Sequence, residues 1–259
     1  MRSFTLFGIG VLFLSCSLQA QNAGYPKSSG HTPDSAILMK WYSEAITDAL
    51  NPEPSEIVNY LWGINPSHPQ LQYKNIDGEL YVKAVSWMSQ SAYDKYYKAS
   101  MGQAYPVTYP SWVTLVPQIQ ASCQLAGYDN SYPMELRLRM ALGLPPSFQE
   151  EPSRVFVEMW VRPQDVNRPA ATPDPYTNFA GLDIPINVTD EYRLWFNDTR
   201  AYQYTLDGVG YPWTQLGYTY DWAPQNTNHV GFSEYVLKTD ITVYLDAAYP
   251  TEEYCTDEN

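Results

Sequence analysis

The first twenty residues place the tightest constraint on how the rest of this chain folds. Arg2 is followed by a mainly apolar run at residues 4–14, and then by small and polar residues up to Ala20. A membrane-spanning helix needs roughly 20 apolar residues, so this run is too short to be one, and its layout is that of a cleavable signal peptide. We therefore predict that residues 1–20 are a signal peptide and that the remaining chain folds outside the cytoplasm.

Two ways of processing this segment remain open. Cleavage after Ala20 leaves 239 of the 259 residues as a free protein. In the alternative, Phe13-Leu14-Ser15-Cys16 is a lipobox and Cys16 carries a lipid anchor. Phe is an unusual first residue for a lipobox, so we favour the form without the anchor. In neither form do we expect a transmembrane segment in the mature chain.

Once Cys16 is removed or lipidated, two cysteines remain. Cys123 and Cys255 form an even pair in a chain predicted to reach an oxidising compartment. We expect a disulfide that ties the end of the chain to its middle. The alternative is a pair of free thiols.

Composition excludes several classes of function. The chain has 15 basic and 28 acidic residues, for a net charge of −13, which argues against a nucleic-acid partner. Aromatic residues make up 15% of the chain, which is typical of a folded protein and not of a disordered acidic one. With three histidines and no phosphate-, dinucleotide- or zinc-binding motif, we expect neither a metal nor a cofactor.

The pattern of apolar residues predicts both helices and strands. Residues 154–161 alternate as a strand does, and Asp77-Gly78 lies between two strand-like runs as a hairpin turn. One helix is expected to begin at Thr32 and Pro33, with Thr32 as its cap, and another is expected over residues 133–142. Residues 192–204 suit a helix or a strand equally. We predict an α+β fold with a mainly antiparallel sheet, a few helices and long Pro-rich loops. It would form a single domain over residues 33–259, after a flexible linker at residues 21–32.

Two segments stand out as candidate functional regions. One contains Trp160-Val161-Arg162-Pro163 and continues to Arg168, and the other contains Tyr211-Pro212-Trp213-Thr214 and Gly217-Tyr218-Thr219-Tyr220-Asp221-Trp222. We expect the two arginines to form forks onto carboxylates and to help bind a ligand. An aromatic pocket would be lined by Trp213, Tyr218, Tyr220 and Trp222. The alternative is that these ion pairs and rings only hold loops and core together.

The same segments carry a resemblance. Trp-Val-Arg-Pro together with Tyr-Pro-Trp-Thr and Gly-Tyr-Thr-Tyr-Asp-Trp is similar to segments of uncharacterised exported bacterial proteins. The likeness covers about residues 70–245. These proteins have no activity that can be transferred, so the resemblance implies only export and one domain.

Three functions remain open from the sequence. The favoured one is an envelope or secreted protein that binds a protein partner or a glycan without catalysis. The second is a hydrolase or lyase acting on an extracytoplasmic polysaccharide, with Asp221 and Glu234 as acid and base and His229 beside them. The third is a structural component of a surface assembly.

Overall fold

The computed structural model describes residues 30–125, 131–147, 153–204 and 210–256. The predicted signal peptide and most of the predicted linker lie outside these residues. The helices of the described part are α1 (Ser35–Ala49), α2 (Gln90–Ala92), α3 (Gln118–Cys123), α4 (Met134–Ala141), α5 (Asp190–Gln203) and α6 (Thr251–Cys255). The strands are β1 (Tyr73–Ile76), β2 (Glu79–Ser89), β3 (Ala104–Val107), β4 (Ser111–Leu115), β5 (Arg154–Val161), β6 (Val166–Asn167), β7 (Tyr218–Tyr220), β8 (Val230–Ser233), β9 (Tyr235–Leu237) and β10 (Ile241–Pro250).

Eight of these strands form one antiparallel sheet in the order β3-β10-β5-β2-β4-β9-β6, with β1 beside β2. The hairpin of β1 and β2 turns at Asp77 and Gly78, both of which have positive φ, as the Asp-Gly pair predicts. Strands β7 and β8 form a separate two-stranded sheet. The predicted α+β fold in one body, with a mainly antiparallel sheet, is confirmed.

The central strand β5 is buried on both faces. On one face, Val157 and Met159 pack in a core with side chains from β2, β4, β9 and β10. On the other face, Phe156 packs with Val85, Leu138 and other residues of β2 and of the helices α3, α4 and α6. Alternation therefore predicts the strand correctly here, but helices cover the face that a two-layer antiparallel protein leaves to solvent.

The predicted disulfide is present. Cys123 at the end of α3 is bonded to Cys255 at the end of α6, with the two Cα atoms 5.1 Å apart. The bond closes a loop of 132 residues, for which chain entropy gives a stabilisation of up to roughly 4–5 kcal/mol. It fixes two of the helices that cover the sheet.

Some local expectations are corrected. Helix α1 begins at Ser35 and is capped by the Asp34 carboxylate, which accepts from the N–H of Ala36, so Thr32 and Pro33 lie before it. The segment that suited a helix or a strand is helix α5, whose buried Tyr192 and Phe196 are one turn apart. Within the described residues, no helix has both the length and the apolar character needed to cross a membrane.

Candidate functional site

A cavity of about 520 Å³ lies where the large sheet meets the two-stranded sheet. Strands β2 and β4 contribute to its wall, as do β7, the end of α5 and residues 211–213. Tyr96 and Tyr211 are the exposed residues among the described lining, so they mark where the cavity meets solvent. The aromatic residues around the cavity are Trp87, Tyr96, Tyr97, Trp112, Tyr211, Trp213 and Tyr220.

Glu234 is the only acidic or basic side chain among the described lining residues of this cavity. It sits between β8 and β9, where its N–H donates to the carbonyl of Gly217 over 3.0 Å. The residue is only partly buried because it lines the cavity, but its Oε2 atom is buried and has no hydrogen-bond partner. Burial raises the pKa of Glu234 to about 8, so the carboxyl is mostly protonated at neutral pH.

Two neutral polar groups line the same cavity. Thr114 on β4 and Gln203 at the end of α5 each have a buried side-chain oxygen without a hydrogen-bond partner. Buried polar atoms are nearly always paired, and an unpaired one costs about 1–3 kcal/mol. With Glu234, three residues of this cavity wall carry a buried side-chain oxygen that has no hydrogen-bond partner in the chain.

The aromatic wall is held in place from outside the cavity. Trp213 donates from Nε1 to the carbonyl of Pro169 over 3.0 Å, and its ring meets that of Trp112 edge-on at 6.1 Å. Tyr220 donates its hydroxyl to Asp48 Oδ2 over 2.8 Å. Because their polar ends are already satisfied, these residues offer the cavity mainly ring surface.

Gly143, which ends α4, brings the backbone close to this wall. It has a φ of +64°, and a Cβ placed on it would lie 3.3 Å from the carbonyl oxygen of Tyr220. A larger residue there would strain the turn and press on β7. Glycine at position 143 therefore maintains the spacing between α4 and β7.

The structure divides the predicted aromatic pocket. Trp213 and Tyr220 line the cavity, whereas Tyr218 and Trp222 are buried and are not among its lining residues. Trp222 donates from Nε1 to the carbonyl of Leu144 over 3.0 Å, and its ring meets that of Tyr42 edge-on at 5.7 Å. Burial raises the pKa of the Tyr218 hydroxyl, which donates to a backbone carbonyl. Tyr218 and Trp222 act as core residues in this arrangement.

Of the three candidate catalytic residues, only Glu234 lines the cavity. Asp221 forms a bidentate pair with Arg137 at 3.0 and 2.7 Å, and it also accepts from the side chain of Asn226. His229 stacks on the ring of Tyr220, with the ring centres 4.7 Å apart. Asp221, His229 and Glu234 are thus not brought together around the described part of the cavity.

The two predicted arginines differ in their partners. Arg162 forms the expected ion pair, with Nε 2.6 Å from Asp165 Oδ2. Arg168 is fully buried, but its guanidinium donates to backbone carbonyls and to the hydroxyl of Tyr235 instead of to a carboxylate. The carbonyls belong to Trp62, Asp174, Thr177 and Gly217. The expected fork of Arg168 onto a carboxylate is therefore corrected, because this side chain fastens a long loop to the sheet. Neither arginine lines the cavity in the described residues.

A second, smaller pocket is strongly polar. Its volume is about 420 Å³, and its lining includes Asp48, Glu53, Glu56 and His229. Within the described residues, no group of three or more His, Cys, Asp or Glu side chains is placed to hold a metal ion. The larger cavity is therefore the stronger candidate site.

Several residues of the larger cavity were missed by sequence reasoning. Trp112 and Thr114 lie two residues apart on β4 and so share a strand face, while Leu115 on the other face packs in the core. A Trp and a hydroxyl on the inner face of a strand is a signal that the sequence carried. Gln203 gave no comparable signal, because its helix was not assigned from the sequence.

Comparison with known proteins adds no relative. No protein-family model, no curated protein and no solved structure matches this chain. The resemblance to uncharacterised exported bacterial proteins therefore stays a prediction.

Proposed function

We propose that this is an exported protein that binds a sugar unit of a glycan, without cleaving it, in the cavity lined by Thr114, Gln203 and Glu234. The observation that carries the proposal is that three residues of a cavity with an aromatic wall each have a side-chain oxygen without a partner in the chain. Sugar rings present C–H faces that pack on aromatic rings and hydroxyls that bond polar groups. At about 520 Å³, the cavity is in the size range of small-molecule sites.

Binding is favoured over hydrolysis by the number of carboxylates. Most glycoside hydrolases need two carboxyl groups on either side of the scissile bond, about 5–9.5 Å apart. The described lining of the cavity holds one, Glu234, while Asp221 is occupied by Arg137. Export is supported by the signal-like segment and by the disulfide, which is compatible with an oxidising compartment.

The test is to titrate the oxidised protein with a panel of mono- and oligosaccharides and to measure binding by tryptophan fluorescence and by calorimetry. Trp87, Trp112 and Trp213 line the cavity, so a bound sugar is expected to change their emission. Gln203→Ala should weaken binding about 5- to 10-fold, the effect of one lost hydrogen bond. Gln72→Ala is the matched control, since Gln72 is exposed and does not line the cavity.

Two results would contradict the proposal. The first is that no sugar of the panel produces a saturable signal, or that Gln203→Ala binds as tightly as the unaltered protein. The second is the appearance of shorter products, which would favour the hydrolase or lyase alternative.

A further inference from the structure

We propose that the sugar bound in this cavity carries a free, protonated amine and that the Glu234 carboxylate forms an ion pair with it. The inference rests on the proposed function and specifies the ligand class of the same site. It is carried by the charge balance of the cavity and by the way this chain treats its other buried carboxylates.

Other buried carboxylates of the described structure are neutralised from within the chain. Asp221 is paired with Arg137, and Glu158 lies 3.0 Å from the ammonium of Lys83. Glu234 is different, because no Lys, Arg or His is among the described lining residues of its cavity. A cationic ligand would supply the partner that lets this carboxyl ionise.

The wall favours the same sign of charge. Seven aromatic residues line the described part of the cavity, and aromatic ring faces attract cations, as Trp87 already does with Arg154 and Tyr96 with Lys95. A net charge of −13 over the whole chain adds a field that draws cations towards the protein. These features favour a cationic sugar over one that bears a carboxylate.

A protonated amine would also allow the buried Glu234 carboxyl to ionise. In the free protein, burial raises the pKa of this carboxyl to about 8, so it is mostly neutral near pH 7. An ammonium beside it lowers that pKa again, and the Glu234 proton leaves to solvent as the ion pair forms. The ammonium then donates to the carboxylate, while the sugar hydroxyls remain available to Thr114 and Gln203.

The experiment compares glucosamine oligosaccharides with N-acetylglucosamine oligosaccharides of equal length at about pH 7. At this pH the amine is still mostly charged, and the Glu234 proton is displaced at a smaller cost than at lower pH. The unaltered protein should bind the free-amine form at least about 10-fold more tightly. Glu234→Gln should weaken binding of the free-amine form about 30-fold or more and that of the acetylated form less than about 3-fold. Glu44→Gln, at an exposed site of α1, should change neither.

The outcomes separate this inference from the function on which it rests. If acetylated sugars bind as tightly as free amines, glycan binding stands and the amine inference fails. If Glu234→Gln keeps the preference, the discrimination is steric and the inference also fails. If no sugar binds, the proposed function itself is wrong.

A further measurement does not depend on the variant being folded. At about pH 10 the sugar amine is uncharged, so the unaltered protein should lose its preference between the two forms. A preference that persists at that pH would overturn the role of charge.

Discussion

Asp221 and Glu234 lie in the same aromatic part of the chain, and both are enclosed by it, yet the protein treats them in opposite ways. The Asp221 carboxylate accepts two hydrogen bonds from Arg137 and another from Asn226. The Oε2 atom of Glu234 accepts none and belongs to a cavity wall. Burial alone therefore does not separate a structural carboxylate from a candidate binding group, whereas an account of its partners does.

The difference arises from what packs opposite each residue. Asp221 follows β7, next to α4, and that helix presents Arg137 to it. Glu234 follows β8, where the chain turns into the large sheet beside the cavity. Removing each carboxylate should thus have opposite consequences for stability.

The largest effect is expected for Asp221→Ala. This change removes the carboxylate to which the largely buried Arg137 guanidinium donates, and breaking a buried pair from one side costs roughly 3–5 kcal/mol. The free energy of unfolding should fall by about that amount in urea denaturation near pH 7. Loss of the Asn226 contact acts in the same direction.

Glu234→Gln is the comparison for that measurement. It should leave the free energy of unfolding unchanged or raise it, because it replaces a carboxyl whose ionisation is penalised by burial. Equal destabilisation by the two substitutions would break the distinction drawn between them.

The next effect is a dependence of stability on pH. The pKa of Glu234 is about 8 in the folded protein, above its ordinary value of 4.5, so the folded state holds the proton more tightly than the unfolded state. This contribution is fully present below about pH 4.5 and is lost as the pH rises to about 8, by up to roughly 4–5 kcal/mol.

The measurement is urea denaturation of the unaltered protein and of Glu234→Gln between about pH 5 and pH 8.5. The difference between their free energies of unfolding should move in favour of Glu234→Gln as the pH rises. A difference that stays constant over this range would mean that Glu234 ionises normally, and it would remove the unpaired carboxyl from the site.

The sequence predicted the elements that depend on local pattern. Strand β5, the Asp-Gly hairpin and helix α4 follow from periodicity and turn residues, and the disulfide follows from an even pair of cysteines. Glu234, Trp213 and Tyr220 were also singled out as site candidates, and all three line the cavity. These three residues could be singled out by residue type alone, because acidic and aromatic side chains are candidate binding groups wherever they lie in the fold.

The partners of these residues could not be predicted, since they come from distant parts of the chain. Arg137 is separated from Asp221 by 84 positions, and Trp62 from the Arg168 that holds it by 106. No local sequence pattern predicts such pairs. The sequence therefore indicates Asp221 as a site residue and predicts that the Arg168 guanidinium pairs with a carboxylate. For the same reason Thr114 was overlooked, because its lack of a partner is visible only in three dimensions.

The smallest effect is expected for two threonine hydroxyls. They repeat the comparison of a paired with an unpaired buried group, but without a charge. Thr114 and Thr219 are both buried and both line the cavity. Thr219 Oγ1 donates to the carbonyl of Ala141 and accepts from the N–H of Phe232, whereas Thr114 Oγ1 has no partner. Thr219→Val should therefore lower the free energy of unfolding by about 1–3 kcal/mol, while Thr114→Val should change it by less than about 1 kcal/mol.

Ligand affinity should show the reverse order. Thr114→Val removes an oxygen that is free to bond a sugar, so it should weaken binding about 5-fold while leaving the fold intact. Thr219→Val removes an oxygen already used within the chain, so its effect on affinity should be smaller once the folded fraction is taken into account. If Thr114→Val destabilises the protein and leaves binding unchanged, its hydroxyl has an internal partner, and the cavity has lost one of the three oxygens that mark it as a site.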